Sequence, residues 1–181
     1  DHGVAVERRL PIKIPPFDFS FADVRLDRVF DAEALAAAKQ QALLASASWL
    51  FNLKGVDATS LEEIATRVGV TKKVIYHNVG DKETLVVECY RRSFRMWEEI
   101  AGAARTYDGS RLEAFCLSMN AGAAASLRED LATLSPLAGF EALPSAAQDE
   151  INASAVRLMD IHLEIFAVGQ AQGSMSATNP R

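Results

Sequence analysis

Lys73 and His77 stand four residues apart in the run TKKVIYHNVG, with Lys72, Val74 and Asn78 beside them. On a helix that spacing puts both on one face a turn apart, whereas Ile75 and Val79 share the face turned inward. The outer face then offers ammonium, imidazole and carboxamide groups next to a branched apolar side chain. These are the donors, acceptors and apolar contacts that read base edges in a major groove. Tyr76 adds a hydroxyl suited to a phosphate oxygen. Two helix starts nearby, at Thr59/Ser60 and at Lys82, leave backbone N–H groups free, and both those donors and the helix dipole favour an anion such as a backbone phosphate.

The elements that must position these groups are short. A helix from Asp31, its N-cap, buries Leu35, Leu43, Ala47, Leu50 and Phe51 and stops at Gly55. Thr59 with Glu62, or Ser60 with Glu63, then makes a capping box ahead of Ile64, Ala65 and Val68. Gly69-Val70-Thr71 is a tight turn, and Thr71 caps the next helix, Lys72 to about Val79. Two short amphipathic helices joined by a glycine turn give the helix-turn-helix arrangement, whose second helix enters the groove while the first crosses the backbone.

Longer helices follow. Asp81 caps one in which Leu85, Cys89, Tyr90, Phe94, Trp97 and Ile100 recur at helical spacing as far as about Arg105. Tyr107-Asp108-Gly109-Ser110 is a turn, and a further helix runs from about Arg111 to Leu127. Ser145 with Gln148 makes a capping box for the last helix, which continues through Ile151, Leu158, Met159, His162, Ile165 and Phe166 to Gly173. The expected fold class is all-α, with an extended arm over 1–30, a three-helix DNA-binding domain over 31–81 and a helical regulatory domain over 82–181. Pro11, Pro15 and Pro16 break any helix in the arm, which packs its phenylalanines or, through Arg8 and Arg9, reaches DNA.

The stretch from about residue 34 to 90 resembles the DNA-binding domain of the tetracycline-repressor (TetR) family. The resemblance rests on Leu50, Phe51 and Gly55, the run Thr59 to Ala65, Gly69-Val70-Thr71, Tyr76, and the block Asp81 to Leu85. It implies groove-facing roles for Thr71, Lys72, Lys73, Val74, His77 and Asn78, and phosphate anchoring by Thr59 or Ser60, Tyr76 and Lys82. Lys73 departs from the small residue common in the family and adds charge to the groove face. Val79 replaces a common Phe and should only thin the core.

The resemblance further implies that the helices after Asp81 sense a small-molecule effector and dimerise. A pocket between them would draw on Phe94, Trp97, Phe115, Met119, Met159, His162 and Phe166. Met and aromatic residues at helical spacing are equally the material of a plain core, and a lone His among apolar residues is commonly packed and satisfied. Family members usually continue past the stretch GQAQGSM. A chain that lacks an initiator Met and stops at Arg181 is expected to be truncated, to dimerise differently, or to be one unit cut from a longer or tandem protein.

Composition bounds the alternatives. The 181 residues are 49% hydrophobic with 30 alanines, enough for a helical core. No apolar run reaches the roughly 18 residues of a membrane span. The two cysteines, Cys89 and Cys116, form no CxxC pair, so a cytoplasmic protein without structural zinc is expected. No nucleophile–base pair, H-E-x-x-H motif or phosphate loop is present, so the chain reads as no enzyme, with no metal and no cofactor beyond the effector. The competing class is a helical module that binds a small molecule or protein and has lost DNA. Acidic residues at 72, 73 and 77 would mark that loss, and the residues there are Lys, Lys and His. The net charge of −5 is unevenly spread. Residues 1–95 carry 14 Lys+Arg against 13 Asp+Glu, whereas 96–181 carry 5 against 11. The expected function is therefore a sequence-specific transcriptional regulator, most simply a repressor, that binds double-stranded DNA at a near-palindromic operator as a homodimer.

Overall fold

A computed structural model describes residues 32–135 and 139–176. The chain divides into two compact units, 1–36 and 37–181. The expected arm and the Asp31 cap lie outside the described residues, which form six α-helices and a short 3-10 turn, with no strand among them.

Helix α1 (Ala32–Lys54) is rich in alanine; among its described side chains burial begins at Leu43, while Leu35, expected in its stripe, is 51% exposed. It ends at Gly55, whose φ of +87° an L side chain would resist. Helix α2 (Leu61–Val68) starts at Ser60, whose Oγ accepts the Glu63 N–H at 3.1 Å. The expected capping box is half made, because the Glu63 carboxylate pairs with Lys54 instead. Gly69, in the left-handed region at φ +75°, closes α2, and the Val70 N–H reaches back to the Ala65 carbonyl at 2.9 Å. Helix α3 (Lys72–Asn78) is capped by Thr71 and contributes Ile75, fully buried, to the core.

Helix α4 (Lys82–Arg105) begins at Asp81, which accepts the Thr84 N–H and hydroxyl, each at 2.8 Å. Leu85, Val86, Cys89 and Tyr90 of α4 join Leu44, Phe51, Ile64 and Ile75 in one buried cluster, with Val79 packed at its margin. The hydrophobic core therefore runs unbroken across the domain boundary expected at residue 81. That continuity ties the helix-turn-helix rigidly to the first half of α4.

Helix α5 (Arg111–Ser126) carries a complete capping box between Ser110 and Glu113. Helix α6 (Ser145–Ala171) does not use the box expected of Ser145 and Gln148. Pro144 is the N-cap there, and the Gln148 amide donates back to the Leu143 carbonyl at 2.9 Å. Proline's fixed φ pre-forms the helix entry, so Ser145 is drawn into the first turn and its hydroxyl no longer sits at the cap. Helices α4, α5 and α6 pack on one another, with a second small core of Ala104, Ala114 and Ile165.

Candidate nucleic-acid interface

The turn between α1 and α2 decides which of two neighbouring hydroxyls can meet a phosphate. Thr59 is 1% exposed and donates its hydroxyl to the Gly55 carbonyl at 2.8 Å, so it builds the turn. Ser60 is exposed at the start of α2, where N–H groups lack helical partners. Of the two expected alternatives, only the Ser60 hydroxyl is exposed.

On α3 the one buried residue is Ile75. Thr71, Lys72, Lys73, Val74, Tyr76, His77 and Asn78 are all exposed around the buried Ile75. Lys72 Nζ lies 5.7 Å from the centre of the Tyr76 ring, a cation–π contact that aligns the two side chains along the helix. Among the described residues no carboxylate lies within ion-pair distance of Lys72 or Lys73. The three lysines between Thr71 and Lys82 face the single Asp81, so the segment is locally positive on a negative chain.

Lys82 is half-buried, and its Nζ donates to the Asp57 carbonyl at 3.2 Å. This holds its charge beside the α1–α2 turn. The Asp81 carboxyl is held below the usual carboxylate range because it accepts the Thr84 backbone N–H and then its hydroxyl. That cap occupies one backbone donor of the α4 terminus.

The seven residues expected to wall a pocket are spread over three helices, α4, α5 and α6. Phe94 is half-buried at the edge of the main core. Trp97 packs against Gly122, where an added Cβ would fall 1.9 Å from the indole ring. Met119 is half-buried on α5, whereas Met159 is 59% exposed on α6. Phe115 meets the His162 ring edge-on at 5.8 Å and Phe166 at 4.6 Å, yet Phe166 remains 36% exposed. His162 is buried with both nitrogens engaged, Nδ1 at 3.0 Å from the Leu158 carbonyl and Nε2 at 3.3 Å from Ser118 Oγ. Because that carbonyl can only accept, Nδ1 carries the proton and, in the neutral ring, Nε2 accepts from the serine. An open cleft of about 320 Å³ lies between the end of α4 and α6, lined by Gly102, Arg105, Arg111, Glu164 and Val168 among others. None of the seven lines it.

Residues 43–89 match the model of the family described as bacterial regulatory proteins, tetR family. The Transposon Tn10 TetC protein of Escherichia coli is 39% identical over 56 residues, which span 31% of this chain and 28% of that protein's length. Among solved structures, the fold is similar to the TetR family transcriptional regulator PfmR from Thermus thermophilus. There the TM-score is 0.61 at 23% identity, covering 76% of this chain and 75% of that one. It is also similar to a TetR-family transcriptional regulator from Bordetella parapertussis, with a TM-score of 0.59 at 17% identity over 77% of this chain and 72% of that one. No described helix is long and apolar enough to cross a membrane. Residues 43–89 are thus similar to the tetR family of bacterial regulatory proteins, and the described helices share the fold of these two regulators.

Proposed function

We propose that the chain is a sequence-specific DNA-binding transcriptional regulator in which α3 reads the major groove. The single observation behind this reading is the face of α3: seven exposed residues arranged around one buried isoleucine, two of them lysines without carboxylate partners among the described residues. Lys72, Lys73, His77 and Asn78 supply the base-reading groups, with Thr71 and Val74 in apolar contact. Ser60, Tyr76 and Lys82 hold phosphates and fix the register without reading sequence. Two copies would place their α3 helices in successive major grooves of a near-palindromic operator.

The regulatory half of the proposal is a repressor in the cytoplasm that releases DNA when a small effector binds among α4, α5 and α6. Because the core runs from α3 into α4, a shift of α4 would carry the recognition helix with it and change the spacing between two half-sites. The chain acts by binding and no enzymatic role is proposed. Selection of bound duplexes from a random pool, followed by affinity titration at several salt concentrations, tests the proposal; absence of any DNA affinity in the full chain leaves the module without DNA as the reading.

A further inference from the structure

Residues 129–135 continue from the end of α5 as irregular backbone, yet Ala132, Thr133 and Leu134 are all buried. Buried irregular backbone needs specific partners for its polar groups. Asn52, near the end of α1, supplies two of them: its Nδ2 donates to the Thr133 carbonyl and its Oδ1 accepts the Ser135 N–H, both at 2.8 Å. From α4, the Ser93 hydroxyl accepts the Leu134 N–H at 2.7 Å, and the buried Arg92 donates to the Ala132 carbonyl at 2.8 Å. The same guanidinium reaches Gln41 of α1 through Nε at 3.0 Å. Ser126 of α5 bonds the Thr133 hydroxyl at 2.7 Å, and at the start of the segment Glu129 pairs with Arg67 in the last turn of α2.

Apolar packing has no preferred direction and tolerates small slides, whereas paired directional bonds at both ends fix a register. We infer that residues 129–135 are a coupling strap, through which a rearrangement at the end of α5 reaches α1 and α2 by way of Asn52 and Arg67. This route runs beside the one through the α3–α4 core. Asn52 is a positioning residue in this scheme, since its side-chain hydrogen bonds go to the strap and it acts only through it. The use of the strap in regulation rests on the proposed function, but the coupling is a property of the chain without DNA.

Amide hydrogen exchange on the full chain tests the coupling directly. Ser126→Ala removes the α5 anchor, and it should speed exchange over residues 61–79 about threefold, with Asn52→Ala abolishing that added effect in the double variant. Ser154→Ala, a similar lesion on α6, should leave 61–79 unchanged. Additive effects of Ser126→Ala and Asn52→Ala, or equal responses to Ser126→Ala and Ser154→Ala, would overturn the inference. Asn52→Asp, which keeps the acceptor for Ser135 and loses the donor to Thr133, replaces Asn52→Ala in the cycle if the latter fails to fold. Titration of each variant with a selected duplex separates the two readings. Coupled exchange without DNA affinity refutes the regulator, and intact affinity with additive exchange refutes only the strap.

Discussion

Gly122 of α5 lies so close to Trp97 of α4 that an added Cβ would stand 1.9 Å from the indole Cζ3. Glycine is required here by the approach of the ring, since Gly122 is buried within a helix where it otherwise weakens the backbone. Gly122→Ala should therefore destabilise the chain by about 1–3 kcal/mol despite alanine's better helix propensity. Urea unfolding followed by tryptophan fluorescence measures it. An unchanged or raised midpoint would mean that α4 and α5 are not held at this spacing.

Thr59 and Ser60 are adjacent and chemically alike, but the structure separates their work. Thr59→Val leaves the Gly55 carbonyl without its buried donor and should cost about 1–2 kcal/mol of stability. Ser60→Ala loses the α2 N-cap, about 1 kcal/mol, and in addition should weaken DNA affinity at temperatures where the variant is fully folded. Thermal unfolding and DNA titration of both variants decide the matter, with a direct DNA defect in folded Thr59→Val as the contrary result.

Asp81 gives a pH signature. Its folded-state pKa is depressed by the Thr84 N–H, so its capping contribution is complete above the ordinary value of 3.8 and is lost as pH falls through the lower folded value. Asp81→Asn keeps a capping oxygen without the charge. Stability measured between neutral and strongly acid pH should fall less steeply in Asp81→Asn than in the parent, although Asp130 and Glu150, depressed by Arg128 and Arg91, keep part of the slope. Identical acid limbs would contradict the cap.

The two thiols should differ sharply in reactivity. Cys89 is fully buried, and desolvation pushes its pKa up to about 12, while Cys116 is exposed on α5. A thiol reagent at neutral pH should label Cys116 at once and Cys89 only on unfolding. Rapid labelling of both in the native chain would mean that the core around α1 and α4 opens readily.

Among the residues proposed to face DNA, Lys82→Ala should weaken binding to all duplexes alike and lower the salt slope by about one unit. Asn78→Ala and Lys73→Ala should instead change which duplexes are preferred. Repeating the duplex selection with each variant distinguishes the two classes. A changed preference in Lys82→Ala would place that ammonium on a base.

The helix-turn-helix was legible because its signals are local. Gly55, Gly69, Ser60, Thr71 and Asp81 each act within four residues of their own position, and the period of Ile75 and Val79 orients α3. The Ser110-x-x-Glu113 box is an equally local signal, masked in the sequence by the turn residues that precede it. Thr59 and Ser60 could not be told apart from sequence, since burial of one hydroxyl depends on how the chain leaves Gly55. The strap was invisible for a different reason. Asn52 meets Thr133 and Ser135 across more than 80 residues of chain, and no periodicity encodes such a contact. The seven residues expected in a pocket share helical spacing with ordinary core residues, and the structure distributes them among a core margin, a ring stack and an exposed face of α6.

If α3 reads sequence, the full chain, titrated over salt concentration, should bind its selected duplex more tightly than a scrambled duplex of equal length by about a thousandfold or more, with both affinities falling as salt rises. Equal affinity for the two duplexes, or none for either, would contradict it.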